Sequence, residues 1–310
     1  MSERRQCVVL DAPSNLGLRP PVPGREPGAA RMARTLRELG LMDRLGAKDA
    51  GVLDRPAYSP GPDAATGFRN GPALGRFTRD LAERVGDLVD GDGFPIVLGG
   101  DCSVVLGPAL ALRRRGRFGL VFVDAHDDFS PPRDIDRYHG QLTAAGLDLA
   151  LATGHLSPAL ADIDGAGPYV AATDVVHIGL IHEEGDNSDY RTELFLRSGI
   201  VSFPAYEVRA RGASAVADDA YAHLSALDLD GYWTHVDVDV LDQTVMPAVD
   251  SPNPAGLMPE QLDTILRRMV GAPGAVGVDF AIYDPDLDPD RTAGKVLVDL
   301  IAGVFDPRHS

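Results

Sequence analysis

Short runs of apolar residues recur along the chain, and stretches with helical periodicity separate them. Runs of this length, bounded by turn-forming residues, are typical of buried parallel strands that crossover helices connect. The predicted strands are Cys7–Leu10, Pro95–Leu98, Gly119–Val123, Val175–Leu180, Tyr232–Val238 and Ala275–Ile282. The predicted helices are Ala30–Leu41, Leu74–Val89, Ser103–Arg114, Ala215–Ala226 and Pro259–Val270. The pattern therefore predicts an α/β fold with a mainly parallel sheet.

Glycine and proline cluster in two segments, Arg19–Gly28 and Tyr58–Pro72. Predicted strands continue on both sides of these segments, so we interpret them as surface loops within one domain rather than as linkers. A length of 310 residues is usual for an α/β fold built around one sheet. We expect residues 1–310 to form a single catalytic domain.

Composition narrows the classes of partner. Hydrophobic residues make up 44% and charged residues 24% of the chain, as in a globular protein with a sizeable core. The net charge of -17 would repel nucleic acid and anionic lipid, so we expect neither as a partner. Two cysteines, Cys7 and Cys102, form no disulfide framework, and no apolar run has the length of a membrane span. We expect a cytoplasmic protein.

Polar residues follow or end three of the predicted strands. They form the blocks Gly99-Gly100-Asp101-Cys102-Ser103, Asp124-Ala125-His126-Asp127-Asp128 and His235-Val236-Asp237-Val238-Asp239. In an open parallel sheet, ligands bind at the carboxyl ends of the strands. These blocks are therefore the candidate functional segments.

The spacing within two blocks predicts that acidic side chains converge. In an extended chain alternate side chains share a face, so Asp124, His126 and Asp128 would point together, as would Asp237 and Asp239. Divalent cations usually compensate so much negative charge, and this ligand set suits Mn²⁺ or Mg²⁺, with the imidazole favouring a transition metal. The alternative interpretation is that Asp124 and Asp237 only cap the turns that follow their strands.

The three blocks, in this order, resemble the metal signatures of the ureohydrolase family, which contains arginases and agmatinases. The resemblance covers nearly the whole chain: Gly24–Leu45 is similar to the N-terminal segment of arginases, His139-Gly140-Gln141 to a short motif after their second metal block, and Gly277-Val278-Asp279 to their last core strand. It implies an arginase-like three-layer α/β/α fold. It also implies a binuclear hydrolase that cleaves a C–N bond of a guanidino compound with metal-bound hydroxide, releasing urea and an amine.

The resemblance also implies a set of site residues. The ligands of two divalent metal ions, most consistent with Mn²⁺, would be Cys102, Asp124, His126, Asp128, Asp237 and Asp239. Among these, Asp124 and Asp237 would bridge the two ions. Asp128 would also orient the attacking hydroxide, and His139 would deliver a proton to the departing amine.

The chain departs from the family pattern at the metal site and at the substrate site. The family normally has histidine in place of Cys102, and a thiolate binds Zn²⁺ or Fe²⁺ more readily than Mn²⁺. Ile282 stands where relatives commonly place a glutamate that pairs the guanidinium group. A buried cation without its partner costs about 3–5 kcal/mol, so either another acid takes this role or the reacting group is not a full cation.

Three residues are candidates for substrate binding. Asp250 lies in the loop after Asp239, Glu184 matches an acid that arginases use for the α-amino group, and Ser130 begins a segment shorter than the family's amino-acid-binding loop. The alternative for Asp250 is a turn cap before Pro252. The shorter segment makes L-arginine itself a doubtful substrate.

Other functions remain open from the sequence. A neutral amidine, a formimino compound or an N-hydroxyguanidine would suit Ile282 better than a guanidinium group does. Deacetylases of acetylpolyamines and lysine share the fold but use one Zn²⁺, and a non-catalytic relative would only bind a ligand. Metal analysis separates these classes: about two equivalents for the hydrolase, one zinc for the deacetylase and none for the binder. We also expect a homo-oligomer, as relatives often form one.

Overall fold

A parallel sheet of eight strands lies at the centre of the computed structural model, which describes residues 5–61, 63–129, 142–181 and 190–306. The strands are β1 (Cys7–Asp11), β2 (Lys48–Val52), β3 (Phe94–Leu98), β4 (Phe118–Val123), β5 (Val175–Ile178), β6 (Val201–Phe203), β7 (Gly231–Asp237) and β8 (Ala275–Ala281). Across the sheet they follow the order β2-β1-β3-β8-β7-β4-β5-β6. The last two strands of the chain thus lie in the middle of the sheet.

Helices cover both faces of this sheet. They are α1 (Met32–Glu38), α2 (Leu41–Leu45), α3 (Gly71–Val89), α4 (Leu106–Arg113), α5 (Asp148–Ala152), α6 (Pro158–Ala161), α7 (Tyr190–Leu196), α8 (Ala205–Arg211), α9 (Ala213–Ser225), α10 (Pro259–Gly271) and α11 (Thr292–Val304). Successive residues of β4 alternate between two cores: Val121 and Val123 pack with α1, α2 and α8–α11, whereas Leu120 and Phe122 pack with α3–α7. The predicted α/β class and its three layers are confirmed.

The pattern of α3 illustrates how sequence determines these layers. Leu74, Phe77, Leu81 and Val85 recur at intervals of three or four residues and are all buried. This apolar stripe packs against α4 and β3, and proline in the first turn suits the start of the helix. Of the helices in the described part of the chain, none combines the length and apolar composition needed to cross a membrane.

The six predicted strands are all present, and two further strands escaped prediction. Strand β5 ends at Ile178, two residues before the predicted end, because Gly179 has a left-handed φ of 108°. The unpredicted strand β2 lies at the edge of the sheet, and its side chains are partly or largely exposed. The other, β6, has only three residues, all partly exposed. Neither strand carries the buried apolar run on which the prediction depended.

The register of four adjacent strands positions the candidate site. Leu98 of β3 pairs with Phe280 of β8, Phe280 also pairs with Val236 of β7, and Val236 pairs with Val123 of β4. The four carboxyl ends therefore lie at one level of the same edge. The polar segments that follow β3, β4 and β7 begin from adjoining positions.

Candidate metal centre

The loop after β3 is fixed by a buried carboxylate. Asp101 accepts hydrogen bonds from the Ser14 hydroxyl at 2.6 Å and from the Ser103 backbone N–H at 3.1 Å. Gly100 lies so close to the Ser14 backbone that an added Cβ would be 1.8 Å from the Ser14 carbonyl oxygen. Asp101 and Gly100 thus hold the loop that carries Cys102, which begins a 3₁₀ turn.

The segment after β4 is not extended, so our expectation of alternating side chains was wrong there. The backbone bends after Asp124, whose Oδ1 accepts a hydrogen bond from the His126 N–H at 2.7 Å. Asp128 has a positive φ of 39°, in the left-handed region that few non-glycine residues adopt. The turn, rather than a pleat, determines where these side chains lie.

The segment after β7 turns in a similar way. Asp239 N–H donates to Asp237 Oδ1 at 2.8 Å, and Val238–Val240 forms a 3₁₀ turn. Asp124 and Asp237 therefore do cap the turns that follow them, but each uses only one carboxylate oxygen to do so. The second oxygen of Asp237 contacts the Cys102 thiol at 2.5 Å, and that of Asp124 is buried without a hydrogen-bond partner in the described residues.

Three side chains from the two segments converge. One ligand atom from each of Asp124, His126 and Asp239 lies within 4.8 Å of the others. The His126 Nδ1 is 3.0 Å from Asp239 Oδ2 and 3.6 Å from Asp124 Oδ1. Asp239 Oδ1 is buried, and no hydrogen bond reaches it from the part of the chain that the structure describes.

The electrostatics of the cluster favour a cation. Burial raises the pKa of the Asp239 carboxyl, as does the charge of Asp124. Burial alone would lower the pKa of His126, but the carboxylates of Asp239 and Asp124 raise it well above its ordinary value. Acids that resist ionisation and an imidazole that retains its proton both indicate an excess of negative charge. The buried, unpaired oxygens and the carboxylate and imidazole donors fit divalent metal ions.

The remaining predicted ligands lie beside these three. Burial raises the pKa of the Cys102 thiol and of the Asp237 carboxyl, and neighbouring carboxylates raise both further. Burial also raises the pKa of Asp128, followed by the charges of Asp124 and of Asp148, the first residue of α5. The described residues thus bring all six predicted ligands to one edge of the sheet, in two adjoining groups.

Comparison with known proteins identifies the family. The family model for the arginase family matches residues 5–305. The chain belongs to the arginase family. An arginase from Brevibacillus brevis is 31% identical over 231 residues, which cover 73% of each chain. The crystal structure of arginase from Bacillus caldovelox has a TM-score of 0.82 at 25% identity and covers 97% of this chain and 98% of its own.

The arginase-like fold extends to relatives with other names. The structure of formimidoylglutamase from Bacillus subtilis has a TM-score of 0.72 at 18% identity, covering 98% of this chain and 88% of its own. A likeness at this identity concerns the fold alone. The predicted family and the predicted arginase-like fold are confirmed.

Two of the residues predicted to bear on substrate binding lie within the described ranges. Ile282 follows β8 directly, is 3% exposed, and its N–H donates to the Gly100 carbonyl at 2.6 Å. Asp250 is exposed in the loop after β7; partial desolvation by nearby protein atoms raises the pKa of its carboxyl, and the charges of Arg19 and His126 lower it. Ser130, His139 and Glu184 lie outside the described residues.

Sequence reasoning assigned no role to two buried polar residues near the cluster, His235, which begins the third candidate block, and Asp148. His235 lies two positions before Asp237 on β7, so its side chain shares a face with that ligand. Asp148 is the one acid in the apolar segment from Ala144 to Ala152. An acidic residue inside an apolar run is the sequence signal that could have identified Asp148.

Proposed function

We propose that this protein is a metal-dependent hydrolase that cleaves a C–N bond of a guanidino or amidino compound. The observation that carries the proposal is the convergence of Asp124, His126 and Asp239 within 4.8 Å at the carboxyl edge of an arginase-family sheet. The unpaired oxygens of Asp124 and Asp239 support it, because a buried carboxylate oxygen without a partner is costly unless a cation compensates it.

Two divalent ions, most consistent with Mn²⁺, would be held by Cys102, Asp124, His126, Asp128, Asp237 and Asp239. When bound, such a pair supplies Lewis-acid chemistry that makes water a nucleophile near neutral pH. Asp124 and Asp237 would each hold metal through one carboxylate oxygen, because the other oxygen accepts the hydrogen bond of its own turn.

Two further groups would handle protons. Asp128 is 8% exposed, and with its pKa raised by burial it is suited to orient the attacking water and accept its proton at the carboxylate. His139 would pass a proton to the departing amine nitrogen, because an imidazole titrates near neutral pH. With a guanidino substrate the products are urea and an amine.

A less basic substrate is the second candidate, and Ile282 favours it. An isoleucine side chain offers no charge to a guanidinium group, whereas a neutral amidine, a formimino group or an N-hydroxyguanidine needs none. Asp250 would pair a cationic part of either kind of substrate. Glu184 and Ser130 remain proposed contacts to other parts of the substrate.

The test is an assay, after reconstitution with Mn²⁺, for the released amine and for its co-product, which is urea from a guanidine, hydroxyurea from an N-hydroxyguanidine and formamide from a formimino compound. The panel contains guanidines, N-hydroxyguanidines and formimino compounds, and Asp128→Asn is the control. We expect turnover of at least one class, and a loss of about 10²–10⁴-fold in the control. Full turnover by Asp128→Asn would refute the mechanism. A metal-loaded protein that releases no amine from any compound would refute the hydrolase and favour a binding protein.

A further inference from the structure

His235 has the environment of a metal-binding histidine. Its side chain is fully buried on β7, and its Nδ1 lies 2.6 Å from Oδ2 of Asp279. The same carboxylate accepts a hydrogen bond from Trp233 Nε1 at 2.6 Å through its other oxygen. Phe122 packs against the imidazole, with ring centroids 4.8 Å apart. These contacts fix the ring and direct the proton of the neutral imidazole to Nδ1.

The other nitrogen of this ring is left for a ligand. His235 Nε2 is buried and accepts no hydrogen bond from the described residues. A histidine that binds a metal nearly always donates its second ring N–H to a carboxylate or a carbonyl group, which fixes the tautomer and strengthens the ligand. Asp279 fulfils this role for His235, so the open Nε2 is the nitrogen that would coordinate.

Asp148 is the acid that accompanies it. The residue is fully buried, and within the described ranges both of its carboxylate oxygens have no hydrogen-bond partner. Helix α5 packs against the turn that carries Cys102, and its Ala150 N–H donates to the Asp128 carbonyl at 3.1 Å. The first residue of this helix therefore lies between the loops after β3 and β4.

The backbone brings these groups to the same part of the molecule. His235 lies two residues before Asp237 on one face of β7, and Asp237 contacts the Cys102 thiol. Helix α5, which begins at Asp148, packs against the turn that begins at Cys102.

We propose that His235, through Nε2, and Asp148 are ligands of a metal ion at the Cys102 end of the cluster. Strand β7 would then supply the imidazole that the chain lacks at position 102. This inference rests on the proposed function, in which the cluster holds divalent ions.

The ligand chemistry indicates which ion this end prefers. A thiolate, an imidazole and carboxylates form a softer set than the group of Asp124, His126 and Asp239, in which oxygen predominates. Softer sets favour Zn²⁺ or Fe²⁺ over Mn²⁺. We therefore expect the two positions to differ in their selectivity, with Zn²⁺ bound more tightly at the end of Cys102 and His235.

Metal counting tests the proposal. Chelator-treated protein is titrated with Zn²⁺, and bound metal is measured by mass spectrometry and by competition with a chromophoric chelator. We expect about two equivalents in the unaltered chain. We expect His235→Gln and Asp148→Asn each to lower the metal affinity of one position by at least about tenfold. Loss of a residue that only supports a ligand already costs about this much, and loss of a ligand should cost no less. The control is His223→Gln, on α9, which should bind as the unaltered chain does.

The outcomes separate the two proposals. If the unaltered chain binds about two equivalents and both variants bind them with unchanged affinity, this inference fails and the proposed function stands. If the unaltered chain binds no metal, both fail. Variants that lose thermal stability in chelator but retain both metals would indicate that His235 and Asp148 only stabilise the fold, which also refutes the inference.

A measurement on the unaltered chain covers the case in which a variant does not fold. The protein is labelled with ¹⁵N-histidine and loaded with Co²⁺. The Nδ1–H of a coordinated His235 should give a strongly shifted proton signal that persists in D₂O, because the ring is fully buried. His126, which is partly exposed, should not give a signal protected from exchange. Absence of a shifted, exchange-protected signal overturns the proposal.

Discussion

The thiol of Cys102 donates a hydrogen bond to Oδ2 of Asp237, with the sulfur 2.5 Å from the oxygen and both side chains buried. An ion bound by Asp237 would therefore lie within reach of the sulfur. Most of the other candidate donors are carboxylate oxygens, so we expect the sulfur to have a large effect on the metal preference.

Replacing this thiol should alter the metal preference. In Cys102→His, we expect the affinity for Mn²⁺ to rise relative to that for Zn²⁺ by about tenfold or more, because a thiolate favours Zn²⁺. Calorimetric titration of metal-free protein with each ion gives the ratio. Cys7→Ser, which alters the partly buried cysteine of β1, should leave the ratio unchanged. An unchanged ratio in Cys102→His would show that the sulfur does not coordinate.

Removal of metal should make stability fall with rising pH. Burial and neighbouring charge raise the pKa of Asp128, Asp237 and Asp239 in the folded, metal-free chain. Groups with a raised folded pKa contribute stability that is fully present below the unfolded value of about 4 and is lost as the pH rises through the folded values. We expect the melting temperature in chelator to decrease from about pH 5 to pH 8.

Bound Mn²⁺ should reverse this trend. Metal competes with protons for the same carboxylates, so binding and its stabilisation strengthen as the pH rises. Differential scanning calorimetry over the same pH range, with and without Mn²⁺, makes the comparison. A melting temperature in chelator that increases with pH would contradict the raised pKa values.

An acid at position 282 should restore recognition of a guanidinium group. In Ile282→Glu, we expect the KM for a guanidinium substrate to fall by about tenfold or more through a charge-assisted hydrogen bond. The KM for a neutral amidine should not fall. Glutamine has nearly the same size as glutamate but no charge, so Ile282→Gln is the matched control. Equal changes in both variants would mean that size, not charge, governs this position.

A buried ion pair between α1 and β1 should dominate local stability. Arg37 donates to both oxygens of Asp11, at 2.8 and 2.9 Å, and also to Asp49. Asp11 is 3% exposed, so Arg37→Met would leave a buried carboxylate without its cation. We expect a loss of about 3 kcal/mol in the free energy of unfolding, measured in urea.

A second substitution distinguishes this cause from lost packing. Asp11→Asn in the Arg37→Met background removes the unpaired charge, so we expect part of the stability to return. A loss below about 1 kcal/mol in Arg37→Met would place the pair among exposed salt bridges of small effect.

The sequence sufficed for the elements whose side chains are buried. Strands β4 and β7 have long apolar runs, and the same kind of run predicts the adjacent strands β5 and β8. The edge strand β2 carries Lys48 and Asp49 and depends on pairing with β1, which no local pattern reveals. Helix α5 has five residues, too few for a clear period.

The candidate site was predictable in its membership but not in its local geometry. The acids after β4 and β7 could be located because they follow apolar runs. Their orientation depends on the positive φ of Asp128 and on the turn at Asp239, which an extended-chain argument cannot foresee. His235 stood in a candidate block but received no role, because its environment depends on Asp279, its partner on the adjacent strand β8.

The strand order has a consequence for how the cluster comes into being. The groups β2-β1-β3 and β4-β5-β6 are separated by β7 and β8, the last strands to be synthesised. Cys102 and Asp124 therefore belong to two half-sheets that become neighbours of one cluster only when β7 and β8, within residues 231–281, insert between them. Assembly of the candidate metal centre is thereby coupled to closure of the sheet, and a nascent chain that ends before β7 lacks Asp237 and Asp239.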